Sequence, residues 1–327
     1  MRITILGGGG FLGRKLAERL ARDGAVGGRP VESLVLFDLN APKPLAAPFP
    51  VTCLGGDVTS AAALAQAIPP GTDAVVHLAA VVSAAAEADL DLGLKVNVQG
   101  TLAVLEACRA LGKPPRVLFT SSVASFGGGQ GANLADDARQ VPGNSYGAQK
   151  AIGELLLQDA TRRGLMDAIS IRLPTVVVRP GRPNKAASSF FSGILREPLL
   201  GLESECPVGD GFKVWVCSPR RAVEWFLQML TMDTAPLGLE RGVNPPGLCV
   251  TVGEMLAALE QVGGPAVRAL VKRVPDAGVE AIVGGWPASF TAERARRMGF
   301  SPHESLEEVV RAFVADDLAA TRAERGL

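Results

Sequence analysis

The chain uses tyrosine once, and the residue four positions after it is lysine: the segment NSYGAQKA, residues 144–151, carries Tyr146 and Lys150. Positions four apart on a helix share a face, so the phenol and the ammonium can address the same point. A phenol titrates near ~10 in water, and a neighbouring cation favours its phenolate form. Such a pair is a general acid/base that needs no histidine. The YxxxK spacing by itself is common on helix surfaces, and its meaning depends on what precedes it. Upstream, the apolar run VLFTSS ends in Thr120, Ser121 and Ser122. These hydroxyls stand at the C-terminal end of a predicted strand, where open α/β sheets bind ligands.

A second group lies at the N-terminus. ILGGGGFLGRKL places Gly7, Gly10 and Gly13 directly after an apolar run and at the head of an amphipathic one. Gly7 permits a tight turn, Gly10 lets backbone N–H groups approach a pyrophosphate, and Gly13 lets the helix pack on the strand. Glycine spacing is a weak signal until an acidic residue closes the next strand, and Asp38 in LVLFDLN does so. A carboxylate there accepts hydrogen bonds from the ribose hydroxyls and repels a 2′-phosphate, which favours NAD over NADP. Asp57 in GGDVTS is read either as a neighbour of the adenine or as the N-cap of the next helix.

The elements that must position these groups alternate. RITILG, SLVLFDL, DAVVHLAA and RVLFTSS read as buried strands, and GRKLAERLARDG, AALAQAI and NVQGTLAVLEACRALG as helices. The alternation predicts an α/β fold, a Rossmann-type doubly wound parallel sheet with helices on both faces. The strands lack in/out alternation, as strands covered on both sides do. A helix is expected over 97–111 and another over 145–163, leading into the strand AISIRLP. Beyond Pro180 loops rich in Pro, Gly and Ser separate shorter elements. Residues 1–180 are therefore assigned to the nucleotide domain, with a return to the sheet near GVNPPG, and 181–327 to a smaller C-terminal α/β substrate region. The terminal AATRAERGL reads as a fraying helix end.

Composition excludes several classes. Lys plus Arg and Asp plus Glu both total 33, so no global field draws nucleic acid or an anionic membrane. Two histidines and five dispersed cysteines supply neither a metal cluster nor a Ser-His hydrolase, so no metal is expected. The cysteines read as reduced core thiols, His77 as a packed strand residue, and Trp215, Trp225 and Trp286 as packing groups. With no signal peptide or membrane span legible, a cytoplasmic enzyme is expected.

At GGGGFLG, GDV, HLAA, KVNVQGT, TSSVASFG and YGAQK the chain resembles the extended short-chain dehydrogenase/reductases, over nearly its whole length. The resemblance implies that Ser122 is the catalytic serine, Tyr146 the acid/base and Lys150 the group that holds the nicotinamide ribose. It implies that Asn97 supports a proton-relay helix and that NAD is bound by Gly7, Gly10, Phe11, Leu12, Gly13, Asp38, Asp57, Val58, Ala79, Ala80, Asn97, Tyr146, Lys150 and Pro174. It also implies a homodimer built on the helices near 97–111 and 145–163.

Many members act on nucleotide sugars, with a motif similar to RxxNVxGP after the last central strand. Here RLPTVVVRPGRPNKAASSF keeps Arg172 but has Thr175 in place of the asparagine. The chain resembles instead a sugar-acid dehydrogenase branch, which implies NAD-dependent oxidation of the C2 hydroxyl of a small sugar acid. An anionic substrate of this kind needs a cation, and Arg179 and Arg182 are available for a bidentate carboxylate contact. Arg182 is favoured, with Ser83, Thr175 and Asn184 joining Ser122 and Tyr146 as hydroxyl partners; the alternative is that both arginines are structural. A nucleotide-sugar epimerase and a non-catalytic NAD(H)-binding protein are the competing readings.

Overall fold

A computed structural model describes residues 1–327 other than Ala132, residues 184–187 and His303. The apolar runs form the strands of a seven-stranded sheet: β1 (Arg2–Leu6), β2 (Ser33–Asp38), β3 (Val51–Gly55), β4 (Ala74–His77), β5 (Arg116–Ser122), β6 (Asp167–Leu173) and β7 (Gly242–Val243). Their spatial order is β7-β6-β5-β4-β1-β2-β3. The register is parallel where it joins β1 to β2 and β4, β2 to β3, β4 to β5, and β6 to β7. The order reverses at β1, which makes a crevice beyond the carboxyl ends of β1 and β4 the expected ligand position. The short β7 is the return to the sheet expected near GVNPPG. The strand β3 was not foreseen: VTCLG is half exposed at the sheet edge, and five residues following a proline-rich stretch carry little periodicity.

Four helices matter to the site: α1 (Phe11–Asp23), α2 (Ala61–Ala67), α3 (Gly100–Arg109) and α4 (Ser145–Arg162). Leu6, Val75, Val104, Val117, Phe119 and Leu157 meet in the core they share with the sheet. Each such fully buried apolar side chain contributes roughly 1.5–3 kcal/mol. Helix α4 comes close to the sheet at Gly153, where a Cβ would stand 2.8 Å from the Phe119 ring. The helix expected over 97–111 differs. A π-helical turn, Leu94–Gln99, precedes α3, and the Gly100 N–H donates to the Lys95 carbonyl five residues back. The extra residue carries Asn97 inward, where its side chain finds partners described below.

The chain forms two compact units. The first comprises Met1–Ser125, Asn144–Arg172 and Val223–Asn244 and holds nearly all of the sheet; the second comprises Phe126–Gly143, Leu173–Ala222 and Pro245–Leu327. Within the second, Lys213–Cys217 pairs in parallel with Thr175–Val176 and antiparallel with Leu248–Thr251. Phe191, Val214, Val250, Met255, Val309 and Phe313 lie in its core. The C-terminal helix Leu318–Arg325 is anchored rather than frayed: Thr321 is buried, and Arg325 pairs with Glu197, a carboxylate that is itself buried. Cysteines also depart from expectation: Cys108, Cys206 and Cys217 are core thiols, but Cys249 is exposed. No helix among the described residues is long and apolar enough to cross a membrane.

Candidate active site

Helix α4 begins at an Asn144 N-cap whose side chain accepts from the Gly147 N–H at 2.8 Å. The cap sets Tyr146 in the first turn and Lys150 one turn later. Their shared face is realised: the Lys150 Nζ lies 5.6 Å from the Tyr146 ring centroid and 4.8 Å from that of Phe119 on β5. Both distances suit cation–π attraction. Lys150 is 2 % exposed while Tyr146 is half-buried. Burial draws the Lys150 ammonium down to about 7, against the opposing pull of Glu154. Ser122 ends β5, against which α4 packs. Its Oγ accepts from the Ala124 N–H at 3.1 Å, and its carbonyl accepts from the Ser125 hydroxyl at 2.8 Å. A short turn, Val123–Ser125, thus holds the serine at the strand end.

The glycine loop between β1 and α1 has the shape of a phosphate cradle. The Gly7 and Gly8 N–H groups both donate to the Phe37 carbonyl, at 2.8 and 3.0 Å. Gly7 has φ +88°, and a Cβ there would stand 2.8 Å from the Ala79 nitrogen. A Cβ at Gly13 would stand 2.2 Å from the Gly7 oxygen. Gly10 is the N-cap of α1 and makes no side-chain cap bond, and Phe11 and Leu12 open the helix half-buried. The open helix N-terminus, with its aligned N–H groups, is a site for an anion. Asp38 ends β2; its carboxylate accepts from Gly9 N–H at 2.9 Å and Leu39 N–H at 2.8 Å, which leaves lone pairs for a ribose. The donors and the cleared space fit a dinucleotide.

Of the two readings of Asp57, the N-cap fails. Ser60 caps α2, while Asp57 accepts from the Thr59 N–H and hydroxyl, bonds that hold its carboxyl below the usual range. Val58 is buried against Gly100, and Ala79 and Ala80 follow β4 half-buried. The Asn97 Nδ2 donates to the Val81 carbonyl at 3.0 Å and to Gln149 Oε1 at 2.7 Å, and its Oδ1 accepts from the Val81 N–H at 2.8 Å. His77 is a packed residue. Its Nε2 donates to Thr101 Oγ1 at 3.1 Å, since that hydroxyl gives its own proton to the Asn97 carbonyl; burial holds the ring neutral.

Residues 3–215 match the NAD dependent epimerase/dehydratase family. The chain belongs to that family. It is an NAD-dependent enzyme, and the cradle at Gly7–Gly13 with Asp38 is where its nucleotide would be held. Among curated relatives, D-erythronate dehydrogenase of Cupriavidus necator is 49% identical over 320 residues, covering 97% of this chain and 98% of that one. D-erythronate dehydrogenase of Haemophilus influenzae is 38% identical, covering 97% and 100%. Among solved structures, one titled a nucleoside-diphosphate-sugar epimerase from Agrobacterium tumefaciens superposes with a TM-score of 0.92 at 42% identity, covering 98% and 95%.

The remaining site residues of this family member fall in several places. Ser83 opens the helix Ser83–Ala88 in the first unit. In the second unit, Pro174 and Thr175 are buried, Thr175 paired with Val216, and Arg182 is exposed. Arg179 is engaged structurally: its Nε donates to the Val176 carbonyl at 3.1 Å and its Nη2 to Ser188 Oγ at 3.3 Å. Asn184 lies outside the described residues. Sequence reading missed Gln149 and Glu154. Both lie on α4, are buried, and bond partners beyond their own helix. The available signal was Glu154 itself, a carboxylate one turn past Lys150 in the apolar run IGELLL.

Proposed function

We propose that the protein oxidises the C2 hydroxyl of D-erythronate to 2-dehydro-D-erythronate with NAD as acceptor. The reading is carried by the 49% identity, across nearly all of both chains, to a relative named D-erythronate dehydrogenase. The retained Ser122, Tyr146 and Lys150 support it. Bound NAD supplies the hydride acceptor. The Tyr146 phenolate removes the C2 hydroxyl proton as hydride leaves C2, and the Ser122 hydroxyl holds the reacting oxygen in line. Lys150 would hold the nicotinamide ribose and place positive charge beside the phenolate. The substrate carboxylate is assigned to Arg182 and its hydroxyls to Ser83 and Thr175.

The solved relative titled a nucleoside-diphosphate-sugar epimerase favours a second reading. The two separate in one assay. NADH appearance is followed with NAD and D-erythronate, L-threonate or D-threonate, beside UDP-sugars. The dehydrogenase gives stoichiometric NADH with an aldonic acid; UDP-sugar turnover without net NADH, and silence with every aldonic acid, replaces it with the epimerase.

We further propose a cytoplasmic homodimer. Leu94 on the π-turn, Leu102 on α3, and Ile152 and Leu155 on α4 are exposed apolar side chains, and a contact surface would join them in one apolar patch. Leu155, 61% exposed, gives the test. Leu155→Glu is expected to convert a dimer to a monomer in light scattering, whereas a wild-type monomer removes the proposal.

A further inference from the structure

Behind Lys150 runs a line of alternating charge that leads to the surface. Glu154 lies one turn beyond Lys150 on α4 and is 5 % exposed. Its Oε1 accepts the hydroxyl proton of Ser121, the strand-end residue beside Ser122. Arg172 on β6 donates to Glu154 Oε2 from Nε at 3.0 Å and pairs with it from Nη2 at 2.8 Å. The same guanidinium reaches Glu240 at 3.0 Å, and Glu240 is half exposed. The first residue of β7 makes room for the group: a Cβ at Gly242 would stand 2.3 Å from Arg172 Nη2 and 2.7 Å from Glu154 Oε2. Two buried cations and two carboxylates therefore alternate from the site outward.

We propose that Glu154 is a positioning residue for the Ser122, Tyr146 and Lys150 group, acting on the Lys150 ammonium from one side and on the end of β5 from the other. The claim that it serves this reaction rests on the dehydrogenase reading; the claim that it holds the charge of Lys150 does not. A cation removed from water needs a compensating charge, and Glu154 is the carboxylate that acts on Lys150. The other groups facing Lys150 do not replace it. Phe119 on β5 is uncharged, His77 on β4 is neutral through burial, and Tyr146 is the reacting phenol. Through Ser121, Glu154 also sets the rotation of the strand end, and successive strand side chains point to opposite faces. That bond thereby fixes the direction of Ser122. A buried ion pair is weak evidence for stability by itself, since apolar replacements are often as stable, and here its members sit beside the reacting groups.

The test is the titration of Lys150 followed by NMR of carbon-13-labelled lysine, its signal assigned by its loss in Lys150→Met. Glu154→Gln keeps an acceptor for Ser121 and removes the charge. It is expected to lower the Lys150 titration by about one to three pH units and, at neutral pH, to reduce kcat for D-erythronate about tenfold or more. Glu154→Asp, which restores the charge, is expected to return both toward wild type. A merely structural residue would change the melting temperature and leave the Lys150 titration in place, and that result overturns the proposal. Should Glu154→Gln fail to fold, the double variant Glu154→Gln, Arg172→Gln leaves no buried guanidinium unpaired and carries the same measurement. If no aldonic acid is turned over by wild type while the titration still moves, the substrate reading falls and the placement of Glu154 stands.

Discussion

Tyr146→Phe is expected to lower kcat by about 10²- to 10⁴-fold, the usual contribution of a positioned acid/base, while NAD affinity changes by only a small factor. Phenylalanine keeps the ring that lies 5.6 Å from the Lys150 nitrogen, so the local packing and the cation–π contact survive. What disappears is the phenol oxygen proposed to take the substrate proton. Binding and chemistry are separated by measuring NAD affinity by calorimetry beside steady-state rates with D-erythronate. Activity near the wild-type level would remove Tyr146 from the mechanism. Because the chain has one tyrosine, phenolate absorbance of the folded protein reports this group alone, and the variant supplies the blank.

Lys150→Met is expected to abolish activity and to make the protein more stable at neutral pH. The lysine has an ordinary value of 10.5 and is drawn down to about 7 by burial. Between these values the unfolded chain binds more protons than the folded one, so stability rises with pH across that window. Below the folded value both states are protonated, and the full cost of burying the ammonium is present. Above the unfolded value both are neutral and the cost is gone. One proton linked in this way gives a slope of at most about 1.4 kcal/mol per pH unit. Urea unfolding at several pH values from neutral upward should show the rise in wild type and a flatter profile in the variant. A wild-type curve as flat as the variant's, with no gain from methionine at neutral pH, would show that the folded lysine titrates normally. The expected trade, stability lost for a charge held beside the site, is one enzymes commonly make.

Much of the molecule was legible beforehand, for local reasons. Strands such as AVVH are buried at all four positions, and that burial is written in the segment as an unbroken apolar run. The glycine loop announced itself because backbone turns that exclude a Cβ leave only glycine. Tyr146 and Lys150 were found because helical spacing makes neighbours of residues four apart. The edge strand β3 and the π-turn at Leu94–Gln99 were not legible. The first is too short and too exposed for a period, and the second depends on partners of Asn97 at Val81 and Gln149, the latter 52 residues away.

The sequence by itself therefore determined the types of group available and the order of the strands that carry them: a phosphate loop, an acidic strand end, a serine strand and a tyrosine–lysine helix. Tertiary structure alone decided which buried groups meet them. The contact of Glu154 with Arg172 spans 18 residues and that of Arg172 with Glu240 spans 68. Glu154 and Arg172 stand within largely apolar segments, and Gly242 clears their space from a third segment. Periodicity records which face of an element is apolar; it does not record which element lies opposite, and a charge is tolerated in the interior only when that opposite element supplies its partner.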